Sequence, residues 1–173
     1  MVESADPRGG EELQMTPEIS DQKLDLRDII LGGQDGLVNV LGVTLGIAVA
    51  SGDLRVTLAG GLAATFAESF SMAAVAYTSS IVKFHAVTDA LIVGFSAVLG
   101  SIVPLIPFFL LPISTAIIVA VAVSAVMLFV LGVYKAKVLG LNLGREGLKI
   151  AVIGLSAALI GYVVGLFFRV PAA

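Results

Sequence analysis

The chain has 173 residues, of which 58% are hydrophobic and only 13% charged, with a formal net charge of −3. Its mean hydropathy of +1.05 is too high for a water-soluble domain of this size and points to an integral membrane protein. With no cysteine, disulfides, thiolate metal sites and thiol catalysis are excluded, and no basic stripe offers itself to nucleic acid.

Residues 1–28 are polar, hold eight of the acids, and include the breakers Pro7, Gly9, Gly10 and Pro17. That composition predicts a flexible acidic arm with a short surface helix over Ser20–Asp28, and it matches neither a signal peptide nor a transit peptide. Five apolar spans follow, at roughly 29–50, 56–80, 88–111, 113–134 and 147–168. The fold class is therefore all-α: a bundle of five transmembrane helices over residues 29–168, ending in a short tail at 169–173. The third and fourth spans are nearly continuous, and Pro112 followed by Ser114 supplies the break. Pro104 and Pro107 predict a kink in the second half of the third span.

A cytoplasmic N-terminus places Arg8, Lys23, Arg27, Lys83, Lys135, Lys137, Arg145 and Lys149 on the inner side and only Arg55 and Arg169 outside. That asymmetry obeys the positive-inside rule and agrees with an odd number of spans. The outer loops are too short for an extramembrane domain.

Glu68 stands near the centre of the apolar stretch Val56–Tyr77, which has no lysine or arginine to neutralise it. A carboxylate there is costly in hydrocarbon, so it faces an aqueous path, binds an ion, or is held by a hydrogen bond to a neighbouring hydroxyl. Asp35 lies in the preceding span. Gly32-Gly33-Gln34-Asp35-Gly36 resembles a turn, but a helix beginning at Gly36 is only about 22 Å long, short of the membrane core. A start near Leu26–Ile29 places Asp35 about two turns inside. Asp35, Asn39, Gly42 and Gly46 then share one face, whose GxxxG pair predicts self-association about a symmetry axis.

Met72 lies one turn after Glu68, with Ala64 and Thr65 one turn before. A carboxylate and a thioether on one face form a mixed donor pair suited to Fe²⁺, Mn²⁺ or Co²⁺ more than to Mg²⁺ or Ca²⁺; Met72 taken alone reads as a gap-filler, and its case as a ligand rests on Glu68. His85 falls in a short turn as an interfacial residue. Asp89 sits in the first turn of the third helix, where the dipole favours it. Lys135 and Lys137 mark the inner end of the fourth helix by snorkelling. No Ser-His-Asp set, HExxH motif or nucleotide fingerprint is present, so no enzyme is expected.

These residues fall into a recognisable pattern. Arg27 through Val38 on the first helix, Ala59-Gly60-Gly61-Leu62-Ala63 leading to Ser71-Met72-Ala73-Ala74 on the second, Pro104-Leu105-Ile106-Pro107, and Leu131-Gly132 through Lys135-Ala136 resemble the vacuolar iron transporter family from about residue 27 to residue 168. The resemblance implies a five-helix protomer and a homodimer with its path between subunits. It also implies export of ferrous iron, often with manganese, from the cytosol in exchange for protons. The metal is cargo, and no resident cofactor is implied. Family roles carry over to Asp35 and Met72, with Thr65, Pro104, Pro107 and Lys135 as supporting candidates beside Asn39, Gly42 and Gly46.

The chain departs from the family in two ways. The family's glutamate after the Ser-Met pair corresponds here to Ala76, whereas this chain carries Glu68 one turn before Met72. Positions 68, 72 and 76 share a face, so the carboxylate has moved along one line. Many members also carry an acidic helical insert between the second and third spans, for which Ser79–Thr88 leaves no room. The rival expectation is a non-transporting membrane scaffold in which Asp35 and Glu68 are inter-helix hydrogen-bond glue. A prokaryotic cell membrane is the default location, with an organelle membrane as the alternative.

Overall fold

The computed structural model describes residues 17–79 and 85–169, with side chains from Ile29 onward. Of the arm expected over residues 1–28, residues 1–16 lie outside the described residues, as does the Lys83 loop. So does residue 170 onward, which is most of the expected tail. The described residues form five helices: α1 Pro17–Ser51, α2 Leu54–Ser79, α3 Ala86–Leu110, α4 Ile113–Leu139 and α5 Leu143–Phe167. Each contains a span long and apolar enough to cross a membrane, that of α1 being Ile29–Ser51.

Helix α1 is continuous from Pro17, so the short helix expected over Ser20–Asp28 merges with the first span. Proline is tolerated at a first helical position, and no breaker intervenes before Gly32. Helices α4 and α5 each run about one turn beyond the spans estimated from hydropathy. Charged Lys135 and Lys137 lower the hydropathy there without lowering helix propensity. A left-handed Gly140 (φ 67°) ends α4, and the Asn142 side chain caps α5 by accepting from the Arg145 amide at 3.2 Å.

The connection between α1 and α2 is only Gly52-Asp53. Gly52 adopts φ 62°, which other residues enter only with strain. Asp53 then accepts from the amides of Arg55 (2.7 Å) and Val56 (2.9 Å), capping α2. This tight hairpin fixes the antiparallel register of α1 and α2.

Large apolar side chains cover the outer surface, while the interior mixes a few leucines and Phe108 with small and hydroxyl side chains. Phe70 (78% exposed) and Ile118 (71%) face the surroundings, as lipid contact requires. The buried stripe of α2 is Thr57, Gly61, Thr65 and Ser69, one residue per turn. Small residues let backbones approach, and approach is what holds helices together when lipid is as apolar as leucine.

Helix α1 packs against all four other helices. On α3 its Gly36 lies so close that an added methyl carbon would stand 2.7 Å from Ser101 Oγ, and Gly33 lies against Gly100. Leu41, Leu45 and Ala48 of α1 join Phe108, Ala116, Ala120 and Ala158 in one core cluster. Pro104 and Pro107 are buried within an unbroken α3. The Gly42–Gly46 pair, expected at a self-association seam, packs on Gly161 and Gly165 of α5 within the chain. The motif licenses close approach; it does not say to which helix.

Candidate metal site

Three contacts read off the α1–α2 register. Ile47 covers Gly60, Thr44 stands against Gly61, and the Glu68 carboxyl lies beside the side chains of both Asp35 and Asn39. The hairpin sets the depths at which these residues lie. Measured inward from Ser51 and Leu54 at helical rise, Asp35 lies about 24 Å along α1, Glu68 about 21 Å along α2, and Asn39 about 18 Å along α1. Glu68 therefore sits between the two α1 side chains in depth, well inside a hydrocarbon core about 30 Å thick.

Helix α1 continues through the Gly-rich stretch, so Asp35 is a mid-helix residue and not a cap. Glycine is tolerated there because Gly32, Gly33 and Gly36 press on Ser96, Ala97, Gly100 and Ser101 of α3. The close approach of α3 on one side leaves Asp35 half-buried on the other.

On α2, Ala64, Glu68, Met72 and Ala76 form a half-buried line beside the fully buried Thr57–Ser69 stripe. Met72 lies one turn inward of Glu68, and Ala76 one turn further. Thr65 is buried on the packing stripe and its hydroxyl donates to the Gly61 carbonyl at 2.9 Å. Lys135 is half-buried near the end of α4.

The donors number two carboxyls, one amide and one thioether. Among the described residues no three His, Cys, Asp or Glu side chains come together. A hydrogen bond between two carboxyl groups needs a proton on one of them, and a cation placed between them replaces that proton.

Between α1 and α5 a groove of about 490 Å³ runs from Val38 and Asn39 to Ala50 and Phe168. Asn39 thus touches Glu68 on one side and the groove on the other. The sequence offered a signal for Asn39, its four-residue spacing from Asp35. It offered none for Thr44, Ser69, Ser101 and Ser124, whose buried hydroxyls have no hydrogen-bond partner.

A model of the VIT family matches residues 26–84 and 81–166. The chain belongs to the VIT family. An uncharacterized protein of Methanocaldococcus jannaschii is 29% identical to it over 167 aligned positions, covering 80% of this chain and 87% of the relative. The two stretches matched to the VIT family overlap at residues 81–84. Membership identifies an integral membrane protein, a metal or ion transporter in the general sense of the VIT family and not an enzyme.

Proposed function

We propose that this protein exports Fe²⁺ or Mn²⁺ from the cytosol in exchange for protons. It works as a homodimer, N-terminus inside, in a prokaryotic cell membrane. The observation that carries this reading is the meeting of two carboxyl groups from separate helices at one depth in the hydrocarbon layer. An isolated carboxylate there is unfavourable, and a pair shares either a proton or a cation. Those two states are the two half-cycles of an exchanger.

In the metal-bound half-cycle Asp35 and Glu68 supply oxygen donors and Met72 a softer one on the inner side. A two-fold copy doubles the set, bringing the coordination number toward what a first-row divalent ion requires. In the return half-cycle protons occupy the carboxyls, which then face the low-dielectric layer without net charge. The positive residues at the ends of α4 and α5 hold the orientation. With Ser79–Thr88 too short for an insert, metal reaches the site directly from the inner side.

The test is metal flux into proteoliposomes across an imposed proton gradient, comparing Fe²⁺, Mn²⁺ and Ca²⁺. Wild-type protein moves Fe²⁺ or Mn²⁺ with coupled proton counterflow, and Glu68→Ala abolishes it while leaving the protein folded. Retained flux in Glu68→Ala ends this assignment of the site.

The scaffold reading draws on the same side-chain neighbours, because hydrogen-bond glue would also join α1 to α2. Glu68→Gln separates the two. Glutamine keeps a hydrogen bond to Asp35 but binds no cation as an anion, so a scaffold tolerates it and a transporter does not.

A further inference from the structure

We propose that Asn39 determines the ion preference of this transporter, adding a third oxygen donor beside Asp35 and Glu68 and so favouring hard divalent cations over soft ones. This deepens the transport reading above and rests on it.

The argument begins with position. Asn39 follows Asp35 by one turn on the same face of α1, and its depth is about 3 Å outward of Glu68 on the facing helix. Side chains lean toward the N-terminus of their own helix. In antiparallel α1 and α2 that tilt brings Asn39 inward and Glu68 outward, toward each other. Their side chains are neighbours across the α1–α2 packing. An amide that gives its N–H to a carboxylate still has its carbonyl oxygen free to bind a cation.

Asn39 is also exposed, at a depth where an unsatisfied amide is unfavourable against lipid. It is the single polar side chain lining the α1–α5 groove; every other lining residue is apolar or glycine. Met72 stands on the inner side of Glu68 and Asn39 on the outer side. An ion moving outward therefore meets the thioether first, and its last donors before the apolar groove are oxygens alone. Oxygen-only donors select Mn²⁺ over a soft ion such as Cd²⁺, whereas a thioether does the reverse.

The experiment reconstitutes full-length protein in proteoliposomes with a metal-sensing dye inside and measures the half-saturating concentration for Mn²⁺ and for Cd²⁺. Asn39→Ala raises the Mn²⁺ value about tenfold, the low end for losing a group that supports a metal ligand, and moves the Cd²⁺ value by less than about threefold. Asn39→Asp retains an oxygen and retains the preference for Mn²⁺. Equal changes for both ions in Asn39→Ala, or none, overturn the proposal, since a purely structural role would weaken both alike. Should Asn39→Ala fail to fold, Asn39→Ser and Asn39→Asp carry the comparison, and loss of the Mn²⁺ preference in Asn39→Asp overturns it equally. Wild-type protein that moves neither ion refutes the transport reading itself. The assignment is then decided by Mn²⁺ binding to the purified protein, followed by electron paramagnetic resonance, where unchanged affinity in Asn39→Ala overturns it.

Discussion

The proposed transport makes depth, more than the presence of a carboxylate, the requirement on Glu68, and moving that carboxylate tests this directly. Combining Glu68→Ala with Ala76→Glu returns the acid to the position the family pattern uses, on the same half-buried line of α2. Two turns of helix displace it by about 12 Å, to a depth about 9 Å beyond Asp35. A hydrogen bond requires about 3 Å between heavy atoms, so the relocated acid no longer pairs with Asp35 or Asn39. Separating the two carboxyls removes a metal ligand from the shared site. The expected loss is at least about a hundredfold in metal affinity, equivalent to about 2.7 kcal/mol. The assay is Mn²⁺ flux into proteoliposomes, with Ala76→Glu alone as the control that keeps Glu68 in place. The control transports and the double variant does not. Wild-type flux in the double variant refutes the reasoning, because the carboxylate would then act without the partner the hairpin register provides.

Further outcomes follow from the packing. Gly161→Ala places a methyl group on the Gly42 backbone, which cannot swing aside, and lowers stability in mixed detergent unfolding by about 1–3 kcal/mol; Gly60→Ala meets only the end of the Ile47 side chain and costs less than about 1 kcal/mol. Equal midpoints for the two variants contradict the close α1–α5 approach. Asp53→Ala removes the acceptor for the Arg55 and Val56 amides and costs about 1 kcal/mol by the same assay, whereas an unchanged midpoint means the cap is dispensable. Because the chain has no cysteine, Ile47→Cys with Gly60→Cys reports one contact without background. Mild oxidation is expected to form a disulfide within one chain, with no doubling of mass on a denaturing gel; failure to cross-link contradicts the α1–α2 register. Apparent Mn²⁺ affinity falls as pH is lowered, since protons compete for ligands that bind metal only when deprotonated, and a pH-independent affinity in titrations argues against carboxylate ligation.

Much of the fold is legible along the chain because a bilayer imposes length and composition on every crossing segment. Five apolar runs, Pro112 between the third and fourth, and Gly52-Asp53 between the first two give five helices at nearly the observed bounds. Helix ends were less legible. Hydropathy falls where Lys135 and Lys137 begin, yet α4 continues to Leu139, because snorkelling lysines are compatible with helix. Asp35 was legible as intramembrane for a reason of length alone, since a helix starting at Gly36 does not span.

Small-residue motifs carried the least information. Gly42 and Gly46 announce that some backbone comes close, but a motif on one helix names no partner, and only the packed bundle shows that α5 lies against them. By itself the sequence determined that five helices cross a membrane and that two of them carry an acid where acids are unfavourable, since both follow from local composition and rise per residue. The tertiary structure decided that those acids and Asn39 meet, because a two-residue hairpin sets the register of α1 against α2 and glycine contacts with α3 and α5 fix which face of α1 stays open.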